Sequence, residues 1–202
     1  MRNYLFGAVQ IFLVLGAQGF SFSWPHWGRC PNLEVQQGFT VTSYMGIWYT
    51  QAGYNIDSVQ GKGRCSQAMY AYDYDRQVVN VTNKQIMAST NRWVSIDGTA
   101  VEVDPSRHEG KLDVTFRVPI VGDVTGPYWI LGTDYNTYTV VYGCRNFLFF
   151  FHYYSTWLLS REQDIDGTGE APQFYALVDA VLAKNKIDPS TFNQVDQVNC
   201  NV

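Results

Sequence analysis

Three histidines, four cysteines and one short acidic run are the residues of this 202-residue chain whose types could do chemistry. A catalytic centre needs such groups to converge. His26 falls in an irregular N-terminal lead and His108 in the charged loop Ser106-Arg107-His108-Glu109, so both read as solvated. His152 sits on a strand, inside Phe149-Phe150-Phe151-His152-Tyr153-Tyr154. It reads first as a structurally satisfied histidine and second as a pocket-wall contact. Asp164-Ile165-Asp166-Gly167 opens like a calcium loop, but the third acidic position and the closing Glu are misplaced. A polar loop leading into a helix fits it better. There is no nucleophile elbow, phosphate-binding glycine loop, HExxH or CxxC, so neither a zinc site nor a familiar catalytic motif is expected. What remains is aromatic surface: 6 Trp, 14 Tyr and 12 Phe. Aromatic walls bind apolar molecules.

Those aromatics fall on short segments separated by turn residues. Strands are expected at 46–54, 64–74, 77–87, 92–103, 111–118, 128–133, 137–145 and 147–159. Such spacing indicates an antiparallel meander. Closing a meander of eight strands removes its exposed edges and encloses a lumen wide enough for side chains or one small ligand. Val118 to Gly126 reads as a long loop. One helix follows, opening at Glu170-Ala171-Pro172 and stopping at Asp188-Pro189. Its stripe Phe174, Leu177, Val178, Val181 and Leu182 must lie on the outside of the barrel. Residues 1–19 read as a cleaved secretory signal: Met1-Arg2, an apolar run to Leu15, then small-x-small at Ala17-Gln18-Gly19. A single domain over 20–202 follows. The apolar run is too short to span a bilayer, and no later segment is long enough. Even in number and widely spaced, Cys30, Cys65, Cys144 and Cys200 fit an oxidising, extracellular compartment, with three pairings open.

Gly46-Ile47-Trp48, Thr133-Asp134-Tyr135 and Arg161, in this order and spacing, resemble the lipocalin family, in which they close one end of a small β-barrel. The resemblance implies that Trp48 plugs the floor, Arg161 covers its ring by cation–π stacking, and Thr133-Asp134-Tyr135 shapes the adjoining turn. Gly63-Arg64-Cys65-Ser66-Gln67-Ala68, Pro127-Tyr128-Trp129-Ile130-Leu131-Gly132 and Asp196-Gln197-Val198-Asn199-Cys200 look like the branch that includes apolipoprotein D and insect bilin-binding proteins. That likeness selects the disulfides Cys30–Cys144 and Cys65–Cys200. It also places Tyr70, Asn83, Phe116 and Trp157 against a ligand, with Tyr72, Trp93, Tyr142 and His152 as further wall positions. The segment from Val118 to Gly126 departs from the branch and leaves the entrance shape open.

The expected fold is therefore all-β: an eight-stranded up-and-down antiparallel barrel with one C-terminal helix outside. The expected function is a secreted carrier of a small hydrophobic ligand such as a lipid, sterol, fatty acid or retinoid. The alternative is a pigment protein holding a bilin (biliverdin) or carotenoid non-covalently; no cofactor is otherwise required, and an enzyme is not expected. Burying about 350 Å² of ligand surface at roughly 25 cal/mol/Å² gives on the order of 9 kcal/mol before association costs, enough for micromolar binding. The formal charge is −4 and the pI about 5.2, and losing Arg2 with the signal makes the mature chain more acidic still. Nucleic acid and anionic membrane are therefore poor partners. A homodimer and a receptor are left open. Asn80-Val81-Thr82 is the one glycosylation sequon.

Overall fold

The computed structural model describes residues 25–118 and 120–200; the signal expected over 1–19 lies outside them. Ten strands form one antiparallel sheet: β1 (His26–Trp27), β2 (Gly46–Tyr54), β3 (Gly63–Asp73), β4 (Val78–Met87), β5 (Arg92–Glu102), β6 (Lys111–Val118), β7 (Gly122–Thr133), β8 (Tyr138–Phe147), β9 (Phe151–Ser160) and β10 (Asn193–Gln194). Strands β2 to β9 pair in sequence order, and β9 returns to pair with β2, closing the barrel. The short β1 lies along β9, and β10 along β2.

Turn chemistry sets the hairpins. At the β3–β4 turn, Asp73 Oδ1 accepts from the amides of Asp75 (3.1 Å) and Arg76 (3.0 Å), and its other oxygen takes Arg76 Nε at 2.8 Å. The β7–β8 turn uses Asp134 in the same manner, accepting from Asn136, Thr137 and Tyr138. An Asx side chain that satisfies turn amides makes a tight reversal cheap.

Most of the expected long loop between Val118 and Gly126 is instead strand, since β7 starts at Gly122. β6 and β7 remain in register from Lys111↔Trp129 to Val118↔Gly122, so the hairpin projects at the barrel's open end. Turn-forming Gly122, Gly126 and Pro127 masked an otherwise β-competent run (Val121, Val124, Thr125). The last expected strand also divides differently: β8 runs to Phe147, residues 148–150 form the turn, and β9 starts at Phe151.

Three α-helices occur among the described residues: α1 (Asp57–Gln60), α2 (Ile165–Thr168) and α3 (Ala171–Lys184). α3 buries Phe174, Val178 and Leu182 against Leu131, Val140, Tyr142 and Leu158 on the outer barrel wall. The calcium-like run forms α2, where Asp164 caps the helix by accepting from Gly167 N at 2.8 Å. Two disulfides, Cys30–Cys144 and Cys65–Cys200, tie the N-terminal lead and the C-terminal tail to the wall. They span 114 and 135 residues of sequence. In the chain-entropy view each contributes roughly 4–5 kcal/mol.

Candidate functional site

The barrel's closed end is built around Trp48, whose ring is fully buried. The Arg161 guanidinium lies 3.8 Å over the ring centre. Its nitrogens also donate to four carbonyls: Ile47 (2.7 Å), Met45 (2.7 Å), Tyr44 (3.2 Å) and Tyr135 (2.9 Å). Gly46 explains itself here. Its φ is +98°, and a Cβ on it would lie 3.1 Å from Arg161 Nη1. Trp48 Nε1 donates to Tyr44 O at 3.0 Å. Thr133 Oγ1 accepts from Tyr135 N at 3.0 Å and donates to Tyr138 O at 2.8 Å, locking the turn that presents the Tyr135 carbonyl to Arg161. Burial pushes the Asp134 carboxyl upward, but hydrogen bonds from Thr137, Tyr138 and Asn136 outweigh it and hold its pKa below the ordinary value.

Above the plug sits a hydroxyl network that the sequence reading did not find. Tyr128 OH lies 2.8 Å from Tyr70 OH and 3.1 Å from Tyr44 OH, and Tyr44 donates on to Thr139 Oγ1 at 3.2 Å. Burial pushes the Tyr44 phenol up to about 12 and raises Tyr70 and Tyr128 as well. All three stay neutral donors and acceptors. Strand alternation could have found Tyr128, because it shares a face with Ile130, but only the fold brings Tyr44 beneath it.

The inner cluster is solid at this level, where Trp48, Ile130 and Val141 have no accessible surface. Around and above it the inward side chains Val114, Phe116, Tyr128 and Trp157 pack against that cluster yet keep accessible surface. These four are only half-buried, and a cavity opens at the mouth beside Ile96, Val118 and Gly122. Asn83 shares the inward face of β4 with Val79 and Val81, and its Oδ1 is buried without a partner. A buried acceptor left unpaired costs about 1–3 kcal/mol, so this atom is suited to a ligand donor. Trp157 Nε1 donates to Gln60 Oε1 at 3.3 Å, joining a second polar group made by Gln60, Gln85 and Ser66.

Tyr70, Asn83, Phe116 and Trp157 thus come together inside the barrel. Tyr72 also faces inward, but it lies beyond Tyr70 towards the β3–β4 turn, with its ring edge on Tyr74. The other three expected wall residues need correction, for they sit on the outer surface. Tyr142 is buried under α3 and stacks on Tyr154. Trp93 is partly exposed with Lys84 Nζ 5.2 Å from its ring centre. His152 Nδ1 bonds Gly28 O at 3.1 Å, and its ring stacks on His26 and Tyr154. Alternation puts each of them opposite an inward neighbour, which aromatic content alone cannot reveal.

A closed eight-stranded cup, plugged at one end and lined with rings and a few polar groups at the other, defines a small-molecule-binding barrel. The chain belongs to the lipocalin family: the family model described as "Lipocalin-like domain" matches residues 39–171. Apolipoprotein D of Mus musculus is 32% identical over 196 residues, covering 97% of this chain and 95% of that protein. Apolipoprotein D of Rattus norvegicus is 32% identical over 186 residues, 91% of this chain and 88% of that one. Among solved structures, insecticyanin from the tobacco hornworm Manduca sexta superposes with a TM-score of 0.74 at 25% identity, covering 88% of this chain and 92% of that one. Lobster apocrustacyanin A1, at 22% identity and TM-score 0.63 over 78% of this chain and 79% of that one, shares the fold.

Proposed function

We propose that this protein is a secreted carrier that binds one small hydrophobic molecule in the upper half of its barrel. The observation that carries the reading is the inward, half-buried surface of Phe116, Trp157 and Val114 beside a plugged floor in which Trp48 and Ile130 have none. The rings supply affinity through apolar burial. The unpaired Asn83 Oδ1 and the Tyr128 hydroxyl orient whatever polar group the ligand carries. The likeness to apolipoprotein D over nearly the whole chain supports the same reading. Two disulfides and an Asn80 side chain on the exposed outer face of β4 suit an extracellular, N-glycosylated protein. All four cysteines are bridged, so thiol chemistry in the cup has no nucleophile. A second copy or a receptor is compatible with this carrier role.

Intrinsic fluorescence is the direct test, because Trp157 stands in the lumen. Titration with a fatty acid, a sterol, a retinoid and biliverdin should quench it saturably, with one site per chain, for at least one of the four. Absence of saturable quenching by all four contradicts the carrier reading. A pigment role, with a bilin or carotenoid as cargo, is favoured by the ring-lined wall at Phe116 and Trp157 and by the superposition on insecticyanin. A visible absorption band in protein purified from its source supports it, and a colourless preparation counts against it.

A further inference from the structure

Arg145 is a charged residue on the inward side of the barrel wall at its mouth, where it remains solvent-exposed. Arg145 lies on β8, where Val141 and Gly143 face the lumen: Val141 belongs to the inner cluster, and a Cβ on Gly143 would lie 3.6 Å from the Trp157 ring. The β8–β9 register is unbroken from Tyr138 to Phe147, so Arg145 takes the same inward face one step nearer the open end. Its guanidinium crosses to β7. A Cβ on Gly126 would meet Arg145 Nη2 at 3.0 Å, and Gly126 itself pairs with the inward-facing Val114 on β6. The missing side chain at Gly126 is what gives the guanidinium room.

Arg145 lacks the partners that occupy Arg161. Among the described residues five ion pairs form and none involves Arg145. Desolvation by the wall lowers its pKa, and the charge of Asp113 on β6 opposes this without approaching to ion-pair distance. A guanidinium keeps its charge under such a shift, and its planar fork of donors matches a carboxylate. Four residues of strand at about 3.3 Å each set Arg145 roughly 13 Å above the level of Val141, which belongs to the solid floor. Arg145 therefore places one cation without an ion-pair partner at the mouth of the ring-lined cup.

We propose that Arg145 is the receptor for the carboxylate of an amphipathic ligand whose apolar body fills the cup between Phe116, Trp157 and the tyrosine network. The proposal rests on the carrier reading and narrows it, from any small hydrophobic molecule to an acid with its charged end at the mouth. A long-chain fatty acid and a tetrapyrrole with propionate arms share that chemistry. Neutral sterols and retinol lack it.

The test compares two acids with their neutral isosteres: palmitic acid against methyl palmitate, and biliverdin against its dimethyl ester. Each is titrated by Trp fluorescence into wild type, Arg145→Gln and Arg145→Lys. Wild type should favour the acid of at least one pair by about tenfold or more, as a charge-assisted bidentate contact provides. Arg145→Gln should abolish that preference while leaving ester binding unchanged, and Arg145→Lys should keep part of it. The pair that shows the larger ratio identifies the source of the carboxylate. Equal acid-to-ester ratios in wild type and Arg145→Gln overturn the proposal while the carrier reading stands. Uptake of none of the four by wild type also overturns the proposal, and the carrier reading is then decided by the sterol and retinoid titrations. Thermal melts of the variants, expected to match wild type at this solvent-reached position, confirm that folding is intact.

Discussion

Arg161 does two jobs with one guanidinium. It covers the ring of Trp48 at 3.8 Å and gathers four carbonyls from the chain entering β2 and from the β7–β8 turn. Losing the cation–π contact and orphaning those carbonyls should cost Arg161→Ala about 3 kcal/mol, read as a lower denaturation midpoint. Lysine cannot reach several carbonyls in one plane, so Arg161→Lys should recover only a minor part. Asp134 gives a pH signature. Its folded-state pKa is held below the ordinary carboxylate value, so its stabilising effect is complete above that ordinary value. The effect is lost as pH falls through the folded value. Acid denaturation of Asp134→Asn should therefore show a shallower loss of stability below about pH 4 than wild type. Trp48 and Arg161 were legible in the sequence because their spacing and chemistry match a recognisable closure. Tyr44, Tyr128 and Arg145 were not: each is an ordinary residue until the register shows which way it points.

At the scale of elements, the strands were legible because period-two patterning and Asx turns are local signals. The helix was legible because its stripe and its early proline agree. Facing was harder. Register shifts at Thr50/Ala52 in β2, Arg64/Gln67 in β3 and Ile130/Gly132 in β7 each disturb simple alternation. An aromatic stripe also looks the same whether it lines a lumen or supports a helix. The β6–β7 hairpin was misread because glycine and proline, read one at a time, outweighed strand pairing that only a partner strand can show. The β1 strap was not read as structure at all. It holds to β9 through the His26↔His152 register, the stack between those rings at 5.4 Å and a 2.9 Å bond between His26 Nε2 and Tyr54 OH. Burial, helped by the charge of His152, lowers the His26 pKa from 6.5. Protonation thus disfavours the docked strap. Docking is complete above pH 6.5 and weakens as pH falls from there towards the depressed value. Amide exchange at Gly28, whose N–H bonds Phe150 O at 2.7 Å, should accelerate relative to core amides between pH 7 and 5. Unchanged relative protection over that range contradicts this view of the strap.

The whole molecule is a cup plugged at one end. Plugged end, neutral hydroxyl network, ring-bearing wall and the arginine at the mouth arise from different stretches of chain brought into register by barrel closure. Bulk charge gave no hint of that arginine, because a net −4 averages over a surface on which one inward cation goes unnoticed. The two disulfides fasten the outer segments to the barrel wall. Native mass spectrometry of protein taken from its own source tests the central claim most directly. One lipid- or pigment-sized molecule should be retained per chain, and be displaced stoichiometrically by a tighter acid. A bare polypeptide mass that stays bare after incubation with fatty acid, sterol, retinoid and biliverdin would contradict it.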